Sequence, residues 1–158
     1  MFVMWFQIDA DGIKIKLQIN GYKPTSKENW DSEWCRCDLL LSSGEWLNYS
    51  KEDDEILLCS EIDGLVENLT ELLNNEISEE KELACIEPDF VFELYPQTDL
   101  RKDSKCIYVA PGHEILDIYL EWRIFFWNGG LTGNYLTITL CRDEIELLRD
   151  YLVLVQNS

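Results

Sequence analysis

Histidine, the residue type that most often acts as a general acid or base, is scarce in this sequence. There is one histidine, His113, and it follows Pro111-Gly112 in a predicted loop. A Ser–His or Cys–His catalytic pair would have to use it, but a lone loop histidine is more typical of an exposed side chain. The glycines after Trp127 lie between two predicted strands, not between a strand and a helix. They therefore indicate a turn and not a phosphate-binding loop.

Metal-binding patterns are equally weak. Cys35 and Cys37 are separated by one residue and would face the same side of a strand, whereas zinc sites usually use a C-x₂₋₄-C spacing. Asp53, Asp54 and Glu55 could hold a hard cation, but they lack the alternating oxygen ligands and the central glycine of a calcium loop. We expect a solvated acidic loop there, no metal and no cofactor. The six cysteines are expected to stay free, as small hydrophobic residues.

Paired carboxylates raise the possibility of glycoside hydrolysis, which needs two acids about 5–10 Å apart. Asp117 and Glu121, with Trp127 on the same predicted strand face, are the candidates. Such pairs arise by chance in a chain with thirty-one acidic residues. We therefore keep a hydrolase that uses these three residues, or a carbohydrate-binding module, only as the alternative function. In such a module an exposed row of tryptophans would bind the sugar: Trp30, Trp34, Trp46 and Trp127.

Alternation of apolar and polar residues predicts most of the elements that must position these side chains. The clearest case is Ile13–Ile19, where aliphatic residues occupy every second position, as in a half-buried antiparallel strand. Asp9-Ala10-Asp11-Gly12 before it indicates a turn, and Asn20–Glu33 a long loop. The predicted strands are Met1–Ile8, Ile13–Ile19, Cys35–Leu41, Glu45–Tyr49, Phe90–Tyr95, Lys105–Ala110, Leu116–Trp127 and Tyr135–Cys141.

Two segments change to the helical period. Aliphatic residues recur at three- and four-residue spacing from Ile62 to Ile77, with Ser60 in the N-cap position. A second amphipathic helix is predicted over Arg142–Val155. The predicted fold class is α+β: an antiparallel β-sheet or sandwich of about seven to eight strands, with one central and one C-terminal amphipathic helix. We expect residues 1–158 to form a single domain.

The charge is the strongest signal in the composition. Thirteen Lys and Arg against thirty-one Asp and Glu give a net charge of −18. Between Lys51 and Asp99 there are sixteen acids and only two bases. Such a balance repels nucleic acid and anionic membranes and attracts cationic partners. There is neither a signal peptide nor an apolar run of about 20 residues, so a cytoplasmic location is expected.

Trp30-Asp31-Ser32-Glu33-Trp34 brings two indoles to the entry of a predicted strand. They could fold back over a sheet edge, with their N–H groups bonded to carboxylates. They could instead be partly exposed anchors of an interface, where tryptophan is enriched. Burial is the commoner case for aromatic residues, and both possibilities stay open here.

The order of these motifs resembles a known family. Trp30–Leu39 is followed by Ser43-Gly44-Glu45-Trp46, a Leu-rich helix, Ile86–Phe92, a long strand, and Gly133-Asn134-Tyr135 before the last helix. This order is similar to that of the WapI-like family, the immunity proteins of the wall-associated protein A toxin. The resemblance implies a cytosolic antidote encoded beside a polymorphic toxin whose C-terminal domain cleaves tRNA. It supplies no site residues.

Charge and resemblance together predict a non-enzymatic immunity protein that binds a basic toxin domain in stoichiometric amounts. Neither nucleic acid nor membrane is expected as a partner. The acidic stretch and the two neighbouring indoles are the predicted partner-binding residues: Asp53, Asp54, Glu55, Glu61, Glu67, Glu71, Trp30 and Trp34.

Overall fold

The computed structural model describes residues 4–24, 33–105 and 108–158. In these ranges it contains ten strands and two α-helices, which confirms the α+β class. The strands are β1 (Phe6–Ala10), β2 (Ile13–Asn20), β3 (Trp34–Ser43), β4 (Leu47–Leu58), β5 (Lys81–Ala84), β6 (Phe90–Tyr95), β7 (Thr98–Asp99), β8 (Ile115–Leu116), β9 (Tyr119–Trp127) and β10 (Leu131–Cys141). The helices are α1 (Cys59–Leu73) and α2 (Arg142–Gln156), and a short 3₁₀ helix spans Leu100–Lys102.

Two antiparallel four-stranded sheets form the body of the fold. Sheet A has the order β1-β2-β3-β4, and sheet B has the order β10-β9-β6-β5; β7 and β8 pair separately. The β1–β2 hairpin turns at Asp11 and Gly12, whose φ angles are +52° and +86°. Two consecutive positive φ angles are what a tight hairpin between twisted strands requires. The predicted turn is therefore confirmed at Asp11 and Gly12, whereas Asp9 and Ala10 belong to β1.

Both sheets contribute their buried faces to one apolar core. Trp122 of β9 is fully buried at its centre. Its ring stacks on Phe92 at 5.4 Å and meets Phe90 edge-on at 5.0 Å, both within sheet B. Phe6 of sheet A lies 6.5 Å from the same indole. Trp122 thus joins the two sheets.

Helices α1 and α2 pack against each other in antiparallel orientation. Gln156 near the end of α2 donates to Asp63 near the start of α1, at 2.8 Å. At the opposite end, Arg142 donates to the Leu73 carbonyl at 2.9 Å. Both helices carry five buried residues on one face, which confirms their predicted amphipathic character.

The ends of α1 differ from the prediction. The helix begins at Cys59, not after an N-cap at Ser60, and Glu61 caps it by accepting the Leu58 N–H at 2.9 Å. It ends at Leu73, before Ile77, because Asn75 adopts a left-handed φ of +56°. The N–H groups of Asn75 and Glu76 then bond back to the carbonyls of Leu72 and Glu71, a Schellman ending.

Two strand predictions and one loop prediction need correction. The strand predicted over Lys105–Ala110 includes residues 106–107, which lie outside the described residues, and the four others are turn or irregular. The strand predicted over Leu116–Trp127 is interrupted at residues 117–118 and continues as β9. Finally, Asp53, Asp54 and Glu55 do not form a loop but belong to β4. The strand accommodates these three acidic residues through a positive φ of +46° at Asp53 and a shift in the β3–β4 register.

A buried ion pair ties β4 to the start of β6. The Asp89 side chain is only 2 % exposed, and Lys51 Nζ lies 2.7 Å from its Oδ1. Lys51 also contacts Asp54 at 2.9 Å and lies 4.7 Å above the Trp127 ring. Burial raises the pKa of the Asp89 carboxyl above its usual value, against the lowering effect of Lys51. The backbone of Asp89 extends the connection, because its carbonyl accepts the Phe125 N–H at 2.9 Å.

Removing the cation should therefore leave a buried charge without its partner. We expect Lys51→Met to lower the free energy of unfolding by about 3 kcal/mol at pH 7. Because the folded-state pKa of Asp89 is raised, protonation of this carboxyl favours the folded state. The variant should consequently regain stability as pH falls from 7 toward 5. Urea unfolding at several pH values measures both effects.

The matched control is the double variant Lys51→Met/Asp89→Asn, which removes the charge itself. It should recover part of the lost stability at pH 7 and lose the added pH dependence. Equal stability of the single variant and the unmodified chain at pH 7 contradicts the assigned role of this ion pair.

Candidate interaction surface

The predicted acidic residues of β4 are largely engaged with bases of the same chain. Arg36 Nε donates to Asp53 Oδ1 at 2.8 Å, and its Nη1 lies 3.4 Å from Glu55 Oε1. Asp54 binds Lys51, whose ammonium group lowers the pKa of that carboxyl. The structure therefore brings these three acids together on one strand, but with two cations among them.

The predicted acidic residues of α1 have different surroundings. Glu61 accepts two backbone N–H groups, that of Leu58 at 2.9 Å and that of Ile86 at 2.8 Å. Its carboxylate thus fixes the start of the helix and the segment leading into β6. Glu67 and Glu71 are four residues apart and lie on the side of α1 opposite its buried stripe. Glu67 is exposed and Glu71 is half-buried, so Glu67 is the more accessible of the two to a partner.

Of the two predicted tryptophans, Trp34 opens β3 and is half-buried. Trp30 lies outside the described residues. Trp46, in the turn between β3 and β4, is 68 % exposed, and its indole N–H donates to Ser43 Oγ at 3.0 Å. The described tryptophans lie on different parts of the fold, so the predicted exposed row is not seen among them.

The candidate hydrolytic residues are not brought together. Asp117 precedes β9 and binds Arg142, which holds the pKa of this carboxyl well below its usual range. Trp127 ends β9, roughly 30 Å further along the extended chain. Glu121 lies between them, 3.4 Å from the Tyr95 hydroxyl. One cleft cannot hold all three side chains.

The cysteines of β3 lie in the core, as their spacing predicted. Cys35 and Cys37 are both fully buried on the same face of the strand. Cys35 Sγ lies 3.2 Å from Cys59 Sγ at the start of α1, and both thiols are free. Burial, followed by the bond with Cys59, raises the pKa of the Cys35 thiol. These groups therefore pack as neutral, hydrophobic side chains.

The most distinctive polar surface lies on sheet B and was not in the predicted set. Since Trp122 points inward, the odd-numbered residues from Tyr119 to Phe125 point outward, together with their register partners on β5 and β6 and with three residues of β10. We call this surface the outer face of sheet B. It consists of Glu82, Ala84, Val91, Glu93, Tyr95, Tyr119, Glu121, Arg123, Phe125, Tyr135, Thr137 and Thr139.

Cross-strand register arranges this face in rows. Tyr95 and Tyr119 stack in parallel, with ring centroids 4.4 Å apart. At the other end of the face, the Phe125 and Tyr135 rings lie 5.1 Å apart. Between the two aromatic pairs runs a row of three glutamates on adjacent strands, in which each faces the next: Glu82, Glu93 and Glu121.

One cation stands on this face. Arg123 forms an ion pair with Glu93, and its guanidinium carbon lies 5.9 Å from the centre of the Tyr135 ring. Tyr95 donates its hydroxyl hydrogen to Glu93, and this bond raises the pKa of the phenol. Glu93 thus already has two partners, whereas no ion pair in the described part of the chain involves Glu82 or Glu121.

One indication of this face was present in the sequence, namely the aromatic and charged residues at the solvent-side positions of the long predicted strand. The rows themselves depend on the register between strands, which the pattern of a single strand does not reveal.

The first sheet offers a contrasting surface. A shallow groove of about 430 Å³ crosses the outer face of sheet A, bordered by Lys16, Gln18, Asp38, Leu40 and Glu52 among others. Lys16 lies 4.5 Å over the ring of Trp5. Charges of both signs alternate here.

Within the described residues, no helix is long and apolar enough to cross a membrane. A family model described as the immunity protein WapI-like family matches residues 5–153, nearly the whole chain. No curated protein matches the chain significantly.

The two roles of the α1 glutamates can be separated by substitution. Glu61→Ala removes two backbone hydrogen bonds, and we expect it to lower the free energy of unfolding by about 1–2 kcal/mol. Glu67→Ala, on the exposed side of the same helix, should change it by about 0.5 kcal/mol or less. Paired urea titrations make the comparison. Equal effects of the two substitutions contradict the capping role of Glu61.

Proposed function

We propose a function from the premise that the chain belongs to the WapI-like immunity protein family. As an immunity protein it has a toxin as its partner. We infer further that this toxin domain is basic, that it is a nuclease acting on tRNA, and that the chain neutralises it by stoichiometric binding in the bacterial cytoplasm. The family match over residues 5–153 is the observation that carries the proposal.

The charge balance supports a basic partner. The chain has a net charge of −18, and seven of its bases already form ion pairs within the described part of the fold. Few positive charges are therefore left to oppose a cationic protein. A nuclease must hold phosphate groups, so its substrate surface is positive, and an acidic inhibitor is its electrostatic complement.

Electrostatic attraction also suits the task of an antidote. Opposite charges raise association rates toward about 10⁸–10⁹ M⁻¹s⁻¹ at low salt, well above those of neutral partners. A toxin has to be captured before it acts on its substrate. Strong negative charge thus favours speed of capture, whichever side chains finally make the contacts.

Stoichiometric binding without catalysis is the mode that we propose. Of the residues considered for hydrolysis, Glu121 and Trp127 lie six positions apart on β9, and Asp117 precedes the strand and is held by Arg142. Contact through Asp53, Asp54, Glu55, Glu67, Glu71 and the two predicted tryptophans stays a prediction. Glu61 is the least suited of the predicted acidic residues, because its carboxylate already accepts the backbone N–H groups of Leu58 and Ile86.

The proposal is tested with the C-terminal domain of the toxin that we expect to be encoded beside this gene. We expect coexpression of the chain to abolish the growth arrest that the domain causes. In vitro, tRNA cleavage should fall linearly as the chain is added and end at one equivalent, because binding occludes the enzyme one to one. Size-exclusion chromatography with light scattering should show a heterodimer.

An unrelated folded protein of similar negative charge serves as the control and should leave cleavage unchanged at the same salt concentration. Inhibition by far less than one equivalent contradicts stoichiometric binding. Continued cleavage at excess chain contradicts the immunity function toward this partner.

A further inference from the structure

We propose that the toxin domain docks on the outer face of sheet B, and that this face receives a cationic segment of that domain. A lysine or arginine side chain of the segment lies between the two aromatic pairs and meets Glu121. This inference rests on the proposed function, because it names the contact surface for the same partner.

The cationic nature of the occupant follows from the charges on the face. Glu82, Glu93 and Glu121 stand side by side on three adjacent strands, and Arg123 pairs with only one of them. Two carboxylates therefore remain without a cation in the described part of the chain. The Tyr95 hydroxyl donates to Glu121 only at 3.4 Å, so the Glu121 carboxylate can accept a further hydrogen bond. A positively charged donor from a partner would provide both the hydrogen bond and the counterion.

The folded state alone gives no reason for this row. Like charges directly opposite each other on neighbouring strands destabilise a sheet, whereas opposite charges stabilise it. The outer face of sheet A follows the favourable pattern, since Asp9 faces Lys14 and Arg36 faces Glu55. In the glutamate row of sheet B like charges face each other, and Arg123 neutralises only Glu93, so Glu82 and Glu121 lower stability in the free protein and gain a counterion when a partner binds.

The aromatic residues supply the rest of a binding surface. Tyr135 is 53 % exposed, and Tyr119 and Phe125 are half-buried with their rings held by neighbours. Such pre-packed rings lose little rotamer freedom on binding, which favours affinity. Tyrosine faces also attract ammonium and guanidinium groups, so the same rings suit the same occupant.

Charge reversal distinguishes this face from the rest of the acidic surface. We expect Glu121→Lys to slow association with the catalytically inactive toxin domain about tenfold at low salt. The same substitution at Glu52, exposed on the outer side of sheet A, alters net charge equally and should slow association less than about threefold. Stopped-flow binding measures both rates.

The stability of the Glu121→Lys variant toward urea provides a second measurement. Because Glu121→Lys replaces a repulsive neighbour of Glu93 with an attractive one, its urea midpoint should equal or exceed that of the unmodified chain. A weakened complex formed by an equally stable variant thus identifies loss of contact and not loss of folding.

Removal of an aromatic side chain tests the face independently of charge. Tyr135→Ala should raise the dissociation rate about tenfold, as truncation of a contact residue does. Trp46→Ala removes a larger and more exposed aromatic side chain far along the chain, in the β3–β4 turn. Its dissociation rate should change by less than about twofold.

The outcomes separate the two proposals. If the unmodified chain does not bind the toxin domain, both the proposed function and the docking face fall. If it binds, and Glu121→Lys and Tyr135→Ala behave like their controls, the function stands and the assignment to sheet B is overturned. Loss of binding in the Glu52 and Trp46 variants instead places the contact on the sheet A side and overturns the assignment in the same way.

Discussion

The burial of Trp122 determines both the inside and the outside of this protein. Its indole fills the centre of the core, stacked on Phe92 and met by Phe6 from the other sheet. Because side chains alternate along a strand, an inward Trp122 forces Glu121 and Arg123 outward. A one-residue slip of β9 would bury those charges and expose the indole, at a cost that the fold cannot meet. The arrangement of the outer face of sheet B is therefore fixed by the packing beneath it.

The few bases of this chain strengthen that arrangement. Lys51 binds Asp89 at the border between β4 and β6, and Arg142 joins Asp117 to the end of α1. Arg36 neutralises part of the acidic run on β4. These cations stabilise the fold by pairing with acidic residues that lie near the core or next to an irregularity in a strand. The remaining acidic residues lie at the surface, where their charge can act on a partner.

The spacing of apolar residues along the chain predicted those strands and helices that have one regularly buried face. Alternation located β2 and the buried side of β9, and the helical period located α1 and α2. It failed for Asp53, Asp54 and Glu55, because a polar run looks like a loop even when a register shift keeps it paired with β3. The very short β7 and β8 and the four-residue β5 were too brief to show a period.

The candidate surface was harder to predict because its members are distant in sequence. Counting acids along the chain drew attention to residues 51–99, where they are adjacent in number. In space, Glu121 joins Glu82 and Glu93 only through the order β9-β6-β5, which no single strand encodes. Both outer faces are in contact with solvent. Opposite charges face each other across the strands of sheet A, whereas glutamates face each other across the strands of sheet B. Folding accounts for the first face, and the cationic partner that we propose would account for the second.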